Sequence, residues 1–182
     1  IAANGSVVST LEHDTTDLSS SYSDVVKIDD THFALVYGGG ASYYAYLKIF
    51  SIDGAYAITE ESSTLLEEVM PYDINIFEIS AGRFIVAYAS SNGTKAKIID
   101  IDGSYAVTIT DTLVLSTVAT NTEHLSLSKI DDTHFLIVFR LNEMWKVYSI
   151  GIDESDNLEV VDMFTITKSA TISTAIANLG DG

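Results

Sequence analysis

The chain has 182 residues, of which 47% are hydrophobic, so it is long enough for a domain with a substantial core. It contains no Cys, which excludes a disulfide framework, a Cys-based zinc site and a thiol nucleophile. Nine basic residues against 26 acidic ones give a net charge of −17, which argues against nucleic acid and anionic membrane surfaces as partners. No apolar run reaches the roughly 20 residues that a membrane helix needs.

Three segments of the chain share one pattern, which indicates an internal repeat. Phe33, Phe84 and Phe135 occupy the same position in each segment, so the period is 51 residues. The run KIDDTHF that begins at Lys27 recurs intact from Lys129. The segments are Val25–Tyr37, Ile74–Tyr88 and Leu125–Phe139.

Each repeat reads as four β-strands, because apolar and polar residues alternate with period two and Val, Ile, Tyr and Phe are enriched. The third and fourth strands meet at Asp53-Gly54 and at Asp102-Gly103, where a tight turn with positive φ is expected. A polar stretch, Glu67–Tyr72, links one unit to the next. In the first unit the predicted strands are Asp24–Ile28, His32–Tyr37, Tyr43–Ile52 and Ala55–Leu65.

Four antiparallel strands joined by short hairpins are typical of a propeller blade. We therefore predict an all-β, β-propeller-like fold of four-stranded antiparallel blades, with a 51-residue period and one partial strand at each end. A row of stacked small sheets and a β-sandwich are the alternatives. The whole chain, 1–182, is then a single repeat array: 1–23 (the last strand of a preceding unit and a linker), 24–72, 73–123 and 124–168 (three units), and 169–182 (the first strand of a further unit).

Three units are too few to close a propeller comfortably, because known propellers have four or more blades. We therefore expect the chain to be a piece of a longer array, or a subunit that completes its ring with other chains. In either case the isolated chain should expose unpaired strand edges.

The repeat resembles units of large propeller-like surface proteins of bacteria and phages. That resemblance is specific for the repeat and implies a surface-exposed or virion-associated binding or structural role. The function of these proteins is largely unassigned. The matching stretches are Leu11–Thr15, Lys27–Phe33, Phe50–Thr59, Ile99–Thr108 and Lys129–Phe135.

Two histidines, His32 and His134, follow Asp-Asp-Thr and could be metal ligands or bases. They recur with the repeat, and Arg83 stands at the same position in the second unit. Because a catalytic group is normally unique in a chain, turn formation is the preferred interpretation.

Acidic residues cluster at the turns between third and fourth strands. Asp100 and Asp102 match half of a calcium-loop pattern, and Asp153 and Asp156 belong to an oxygen-rich cluster. Neither set has the full ligand spacing, so an Asx or type I′ turn is preferred. We therefore expect no cofactor, with Ca²⁺ as the alternative.

Aromatic residues near the loops are candidates for stacking on carbohydrate. Tyr43 and Tyr44 follow three glycines, and Trp145 lies in the third strand of the third unit. Tyr43 and Trp145 are expected to face outward. The competing interpretation is packing between neighbouring strands.

The sequence has no nucleophile elbow, phosphate loop, zinc-binding helix or dinucleotide fingerprint. Paired carboxylates for glycoside cleavage stay an alternative, but the pairs Glu60-Glu61 and Glu67-Glu68 are better interpreted as solvated charges at strand ends. The sequence therefore predicts a non-catalytic binding or assembly module of an extracellular, cell-surface, filament or virion protein, with glycan as a candidate ligand. Expected partners are copies of itself, neighbouring blades, or a surface glycan or protein, without nucleic acid or membrane insertion. The alternatives are a purely structural self-assembling subunit and a polysaccharide-active propeller enzyme.

Overall fold

A computed structural model of the chain describes residues 22–39, 42–118 and 124–167, which form twelve β-strands and no helix. Because these ranges contain strands and loops alone, they include no helix long and apolar enough to cross a membrane. The strands are β1 Ser23–Lys27, β2 His32–Gly39, β3 Tyr44–Ile52, β4 Ile58–Glu67, β5 Pro71–Ser80, β6 Arg83–Ser90, β7 Gly93–Ile101, β8 Val107–Ser116, β9 Leu125–Lys129, β10 His134–Leu141, β11 Met144–Ile152 and β12 Leu158–Ile166.

Consecutive strands form three separate antiparallel sheets of four: β1–β4, β5–β8 and β9–β12. Within each sheet, strands that follow one another in sequence are hydrogen-bonded neighbours. The prediction of an all-β fold with four-stranded antiparallel units is therefore confirmed. The three sheets are open, and over the described ranges they do not close into a ring. The partial strands are expected within 1–23 and 169–182, which lie outside the described residues except for 22 and 23, and Ser23 already begins β1.

The link between the first two sheets is shorter than the sequence suggests. β4 begins at Ile58 and extends to Glu67, and β5 already begins at Pro71, so half of the predicted linker Glu67–Tyr72 is strand and 68–70 alone separate the two sheets. Pro71 is tolerated there because the first residue of a strand need not donate a ladder hydrogen bond. The linker is predicted from its polar composition, but the Glu67 side chain points to the neighbouring sheet rather than to solvent.

The turn between the third and fourth strands is a three-residue loop, and the prediction of positive φ at its Asp-Gly pair is wrong. Tyr56, Tyr105 and Asp156 adopt the left-handed conformation, with φ of 64°, 62° and 65°, whereas Gly54 and Gly103 do not. In the first sheet, the Tyr56 amide donates to the Asp53 carbonyl at 2.9 Å. Such a loop needs its left-handed residue at the third loop position rather than the first.

The second sheet is covered on both faces. One of its faces, with Phe84, Val86 and Tyr88, packs on the first sheet, and the opposite face, with Ile85 and Ala87, packs on the third. All five side chains are fully buried. The alternation of the strands thus gives the second sheet two apolar faces and the molecule two cores, one at each junction.

The first strands of successive sheets lie side by side, β1 against β5 and β5 against β9. An aspartate on one sheet accepts a hydrogen bond from the next: the Ile76 amide donates to Asp24 at 3.0 Å, and the Leu125 amide donates to Asp73 at 2.7 Å. Burial raises the pKa of the Asp73 carboxyl. These contacts fix the spacing of the first strands along one side of the array.

Candidate functional site

The hairpin turns of all three sheets gather on one face of the molecule. Strand direction alternates along each sheet, so the turn after a first strand and the turn after a third strand lie at the same end. We call this end the turn face. The loops after the second strands lie at the other end, which we call the loop face. The turn face comprises 29–32, 53–57, 80–83, 102–106, 131–134 and 153–157.

The Asp-Asp-Thr-His turns are held by their first aspartate. Asp131 accepts from the amides of Thr133 and His134, both at 2.8 Å, and its Oδ1 lies 3.0 Å from the His134 ring Nδ1. Hydrogen bonds from Thr133 and His134 lower the pKa of the Asp131 carboxyl to about 2. The turn at Asp29 has the same bonds. Both histidines therefore take part in turn structure, as the repeat suggests.

At the first junction, this turn contacts the next sheet through aromatic rings. The His32 ring stacks on Tyr105 with a centroid distance of 3.9 Å and an interplanar angle of 24°. The Tyr105 hydroxyl donates to Asp29 Oδ2 at 3.1 Å. Partial burial and this bond raise the pKa of the Tyr105 phenol. The contact thus joins one sheet's first turn to the following sheet's second turn.

At the second junction, an ion pair occupies the same place. Arg83 stands where the first sheet has His32, and Asp156 stands where the second sheet has Tyr105. Arg83 Nη1 lies 3.1 Å from Asp156 Oδ1, and its Nε lies 3.7 Å from Asp100 Oδ1. Both residues of the contact differ between the two junctions. The second junction therefore has an ion pair where the first has stacked rings.

The four aspartates proposed for calcium divide into two kinds. Asp100 and Asp156 come together from different sheets, but the Arg83 guanidinium contacts both. Asp102 and Asp153 act as Asx caps: Asp102 accepts from the amides of Ser104 at 2.8 Å and Ala106 at 3.0 Å, and hydrogen bonds from these two residues lower its pKa. Over 22–39, 42–118 and 124–167, no group of three or more metal-ligating side chains is present.

A groove of about 390 Å³ opens on the turn face between the second and third sheets. Arg83 and Asp156 form part of its wall, so it combines a cation and a carboxylate with apolar side chains. The lining residues are Ile79, Ser80, Arg83, Asp132, Thr133, Ile152 and Asp156.

The aromatic candidates lie on the loop face, apart from the aspartates. Tyr43 and Tyr44 are half-buried at the loop of the first sheet. Tyr43 has a φ of 56°, and Glu143 has a φ of 61° in the corresponding loop of the third sheet, so this conformation belongs to the hairpin. Trp145 is 3% exposed, and its ring centroid lies 6.4 Å from that of His124. The prediction that Trp145 faces outward is wrong, because the indole is enclosed.

One polar cluster was missed in the sequence. The Glu67 carboxylate from β4 receives the Tyr88 hydroxyl and the Lys95 ammonium of the second sheet, with Lys97 Nζ at 3.4 Å. Despite burial, these donors lower the pKa of Glu67, and burial with the carboxylate contact raises the pKa of Tyr88. The interpretation of Glu67 as a solvated charge is wrong. Two lysines on one strand face beside a tyrosine were the available signal.

The second junction has no equivalent of this cluster. Ser116, Phe139 and Lys146 stand at the positions of Glu67, Tyr88 and Lys95. Instead, the Phe139 and Tyr148 rings stack at 5.4 Å, and the Tyr148 hydroxyl donates to the Leu115 carbonyl at 3.1 Å. The cluster therefore belongs to a single junction of the described array.

No protein-family model and no curated protein matches the sequence. Among solved structures, a protein from Lactobacillus plantarum aligns at 16% identity and a TM-score of 0.53, over 81% of this chain and 42% of that one. A hypothetical selenium-binding protein from Sulfolobus tokodaii aligns at 8% identity and a TM-score of 0.54, over 75% and 38%. This chain therefore spans about two fifths of those two structures.

An exo-beta-1,3-galactanase from Phanerochaete chrysosporium aligns with a TM-score of 0.45 at 15% identity, over 69% of this chain and 31% of that one. That value is too low to transfer an activity. The structural neighbours include propeller-like proteins. At these identities the likeness concerns the fold alone, because one fold supports many functions.

Proposed function

We propose that the chain is a non-catalytic, propeller-like repeat module that assembles or binds at the surface of a cell, filament or virion. The observation that carries this proposal is the use of its polar turn residues. They form hydrogen bonds that shape their own turns, and they contact the neighbouring sheet at both junctions. The polar side chains of the turn face thus stabilise the turns and the contacts between successive sheets.

The proposal that the sheets are blades rests on their arrangement. First strands neighbour first strands, and each junction is filled by apolar residues from facing sheets. A sandwich would instead pair two sheets around one core. A propeller-like array continues by adding units of the same kind at both ends.

The proposal of a non-catalytic role rests on the recurrence of the candidate groups. The Asp29–His32 arrangement repeats at Asp131–His134 with nearly the same distances. In both places the carboxylate accepts two backbone amides as well as the ring. A histidine that is held in a repeated turn in this way is better explained by a structural role than by a catalytic one.

Glycan binding is the second candidate, favoured by the half-buried Tyr43 and Tyr44 at the edge of the loop face. Aromatic rings at a surface can stack on the apolar face of a sugar. We expect a glycan array to show retention that is lost in Tyr43→Ala and kept in Tyr56→Ala, a tyrosine on the turn face of the same sheet.

The decisive experiment is incubation of the chain with a panel of polysaccharides, with reducing ends measured over time. We expect no release above the level of a heat-denatured control. Release that rises in proportion to protein concentration would contradict the proposal and establish the enzymatic alternative.

A further inference from the structure

The outer faces of the two end sheets carry the same apolar positions that the second sheet buries. Phe84 and Val86 of the second sheet are 0% exposed against the first sheet, whereas the equivalent Phe33 and Leu35 are half-buried. At the other end, Phe164 of β12 is 65% exposed. Its equivalent, Leu113, is partly buried and packs against the core of the second junction. Over the described residues, each end sheet therefore has an apolar face on which no neighbouring sheet packs.

The turn face carries the two halves of the first-junction contact at opposite ends. Tyr56 of the first sheet is equivalent to Tyr105 and is 60% exposed. Asp131 and His134 of the third sheet are equivalent to Asp29 and His32. Among the described residues, neither the Tyr56 ring nor the His134 ring has a stacking partner.

The direction of the contact is fixed by the two junctions. In both, the turn after the first strand of one sheet reaches the turn after the third strand of the following sheet. By this rule, His134 would contact the second turn of a sheet that follows the third. Tyr56 would be contacted by the first turn of a sheet that precedes the first. The two ends are complementary to each other and not to themselves.

We propose that the partner of these surfaces is a second copy of this chain, bound head to tail. The third sheet of one copy packs on the first sheet of the next, His134 stacks on Tyr56, and the Tyr56 hydroxyl donates to Asp131. Such a contact joins two different surfaces, so repeated docking closes a ring or extends a filament. This inference rests on the proposed function and names its partner.

The halves at the ends match in chemical type. Both belong to the aromatic form of the contact, as at His32 and Tyr105, and neither is the Arg83–Asp156 form. The first junction joins a turn that contains His and Asp to a turn that contains Tyr, and the two ends of the array carry one turn of each kind. The exposed apolar side chains supply the buried area around it.

The test exchanges the aromatic form for the ionic form. Tyr56→Asp places a carboxylate opposite Asp131, and like charges across an interface weaken binding. We expect sedimentation velocity over a wide concentration range to show self-association of the wild type. Its Kd should rise at least about tenfold in Tyr56→Asp. Adding His134→Arg to the same chain should recover most of that loss, because Arg83 and Asp156 pair at the second junction.

We expect these variants to fold, because each introduced residue already occupies the equivalent position in another unit of the repeat. Asp156 occupies the position of Tyr56 with a φ of 65° against 64°, and Arg83 occupies the position of His134. Tyr43→Asp is the matched control. It makes the same substitution in the same sheet, at a φ of 56°, on the loop face. We expect it to leave the Kd unchanged.

Three results would overturn the inference: a wild type that is monomeric at every concentration, a Tyr56→Asp variant that associates as the wild type does, or a loss that His134→Arg does not recover. None of these depends on polysaccharide turnover, which tests the proposed function separately. A monomer without turnover would therefore reject the partner and leave the proposed function standing.

Discussion

At the scale of single residues, five turns use the same device. In one of them, the Ala55 and Ala57 amides donate to Asp53 Oδ1, both at 2.8 Å. Asp29, Asp102, Asp131 and Asp153 each accept hydrogen bonds from amides two to four positions ahead, which stabilises the turn and the ionised carboxylate together. The pKa of each lies below its usual range for this reason. The acidity of the turns thus contributes to stability as well as to net charge.

The turn at Asp131 should make stability depend on acid pH. Its pKa is about 2 in the folded chain and about 3.9 when unfolded, so its contribution is present above about pH 4 and is lost as the pH falls through 2. We expect Asp131→Ala to melt below the wild type at pH 6, with the difference shrinking towards pH 2. Thermal melts of both proteins in dilute solution measure this. A constant difference would show that the ionised carboxylate is not responsible.

At the scale of elements, glycine matters in a different hairpin from the one that the Asp-Gly motif suggests. Gly93 begins β7 with a φ of 102°, and a Cβ built there would lie 1.9 Å from the Ser116 carbonyl oxygen. Gly103 has no heavy atom within 4 Å of such a Cβ. The close approach of β7 to β8 therefore requires glycine, whereas the Asp-Gly turn does not.

We expect Gly93→Ala to lower the free energy of unfolding by at least about 2 kcal/mol, because of strain and overlap with the backbone. Gly103→Ala should change it by less than about 0.5 kcal/mol. Urea denaturation of the two variants measures the difference. Equal losses would mean that the Asp-Gly turn also needs a conformation that alanine avoids.

The junction between the first two sheets depends on Glu67. Its removal leaves Lys95 and Lys97, both largely buried, without their shared carboxylate. We expect Glu67→Ala to lower the free energy of unfolding by about 2 to 4 kcal/mol, since an unpaired buried charge is costly. Tyr88→Phe should cost less than about 1.5 kcal/mol, because it removes a single hydroxyl and Phe139 fills that position in the third sheet. Chemical denaturation distinguishes the two, and similar losses would contradict the charge argument.

At the scale of the whole molecule, the second sheet packs on a neighbouring sheet with both faces, whereas among the described residues each end sheet does so with one face. Exchange of a buried amide requires local opening, which costs most where packing is two-sided. We expect amides of β6 and β7 to exchange more slowly than those of β2 and β10 in dilute solution. Hydrogen–deuterium exchange with mass spectrometry measures this. Uniform protection across the three sheets would argue that the outer faces are not open.

The sequence by itself determined the repeat, its period and the four strands of each unit. These follow from local alternation and from the identity of KIDDTHF at Lys27 and Lys129, which need no long-range information. It also predicted that His32 and His134 belong to turns, because their pattern recurs. Turn type was less predictable, since the left-handed position fell on Tyr56 and Tyr105 rather than on glycine.

The tertiary structure alone decided what lies between the sheets. Trp145 is buried, Glu67 enters the second sheet, and Tyr105 meets His32 across 73 positions of sequence. Such contacts depend on how one unit is rotated against the next, and no pattern within a unit specifies that rotation. For the same reason, only the folded chain shows that Tyr56 and His134 stand at opposite ends of the array, in positions equivalent to those of Tyr105 and His32.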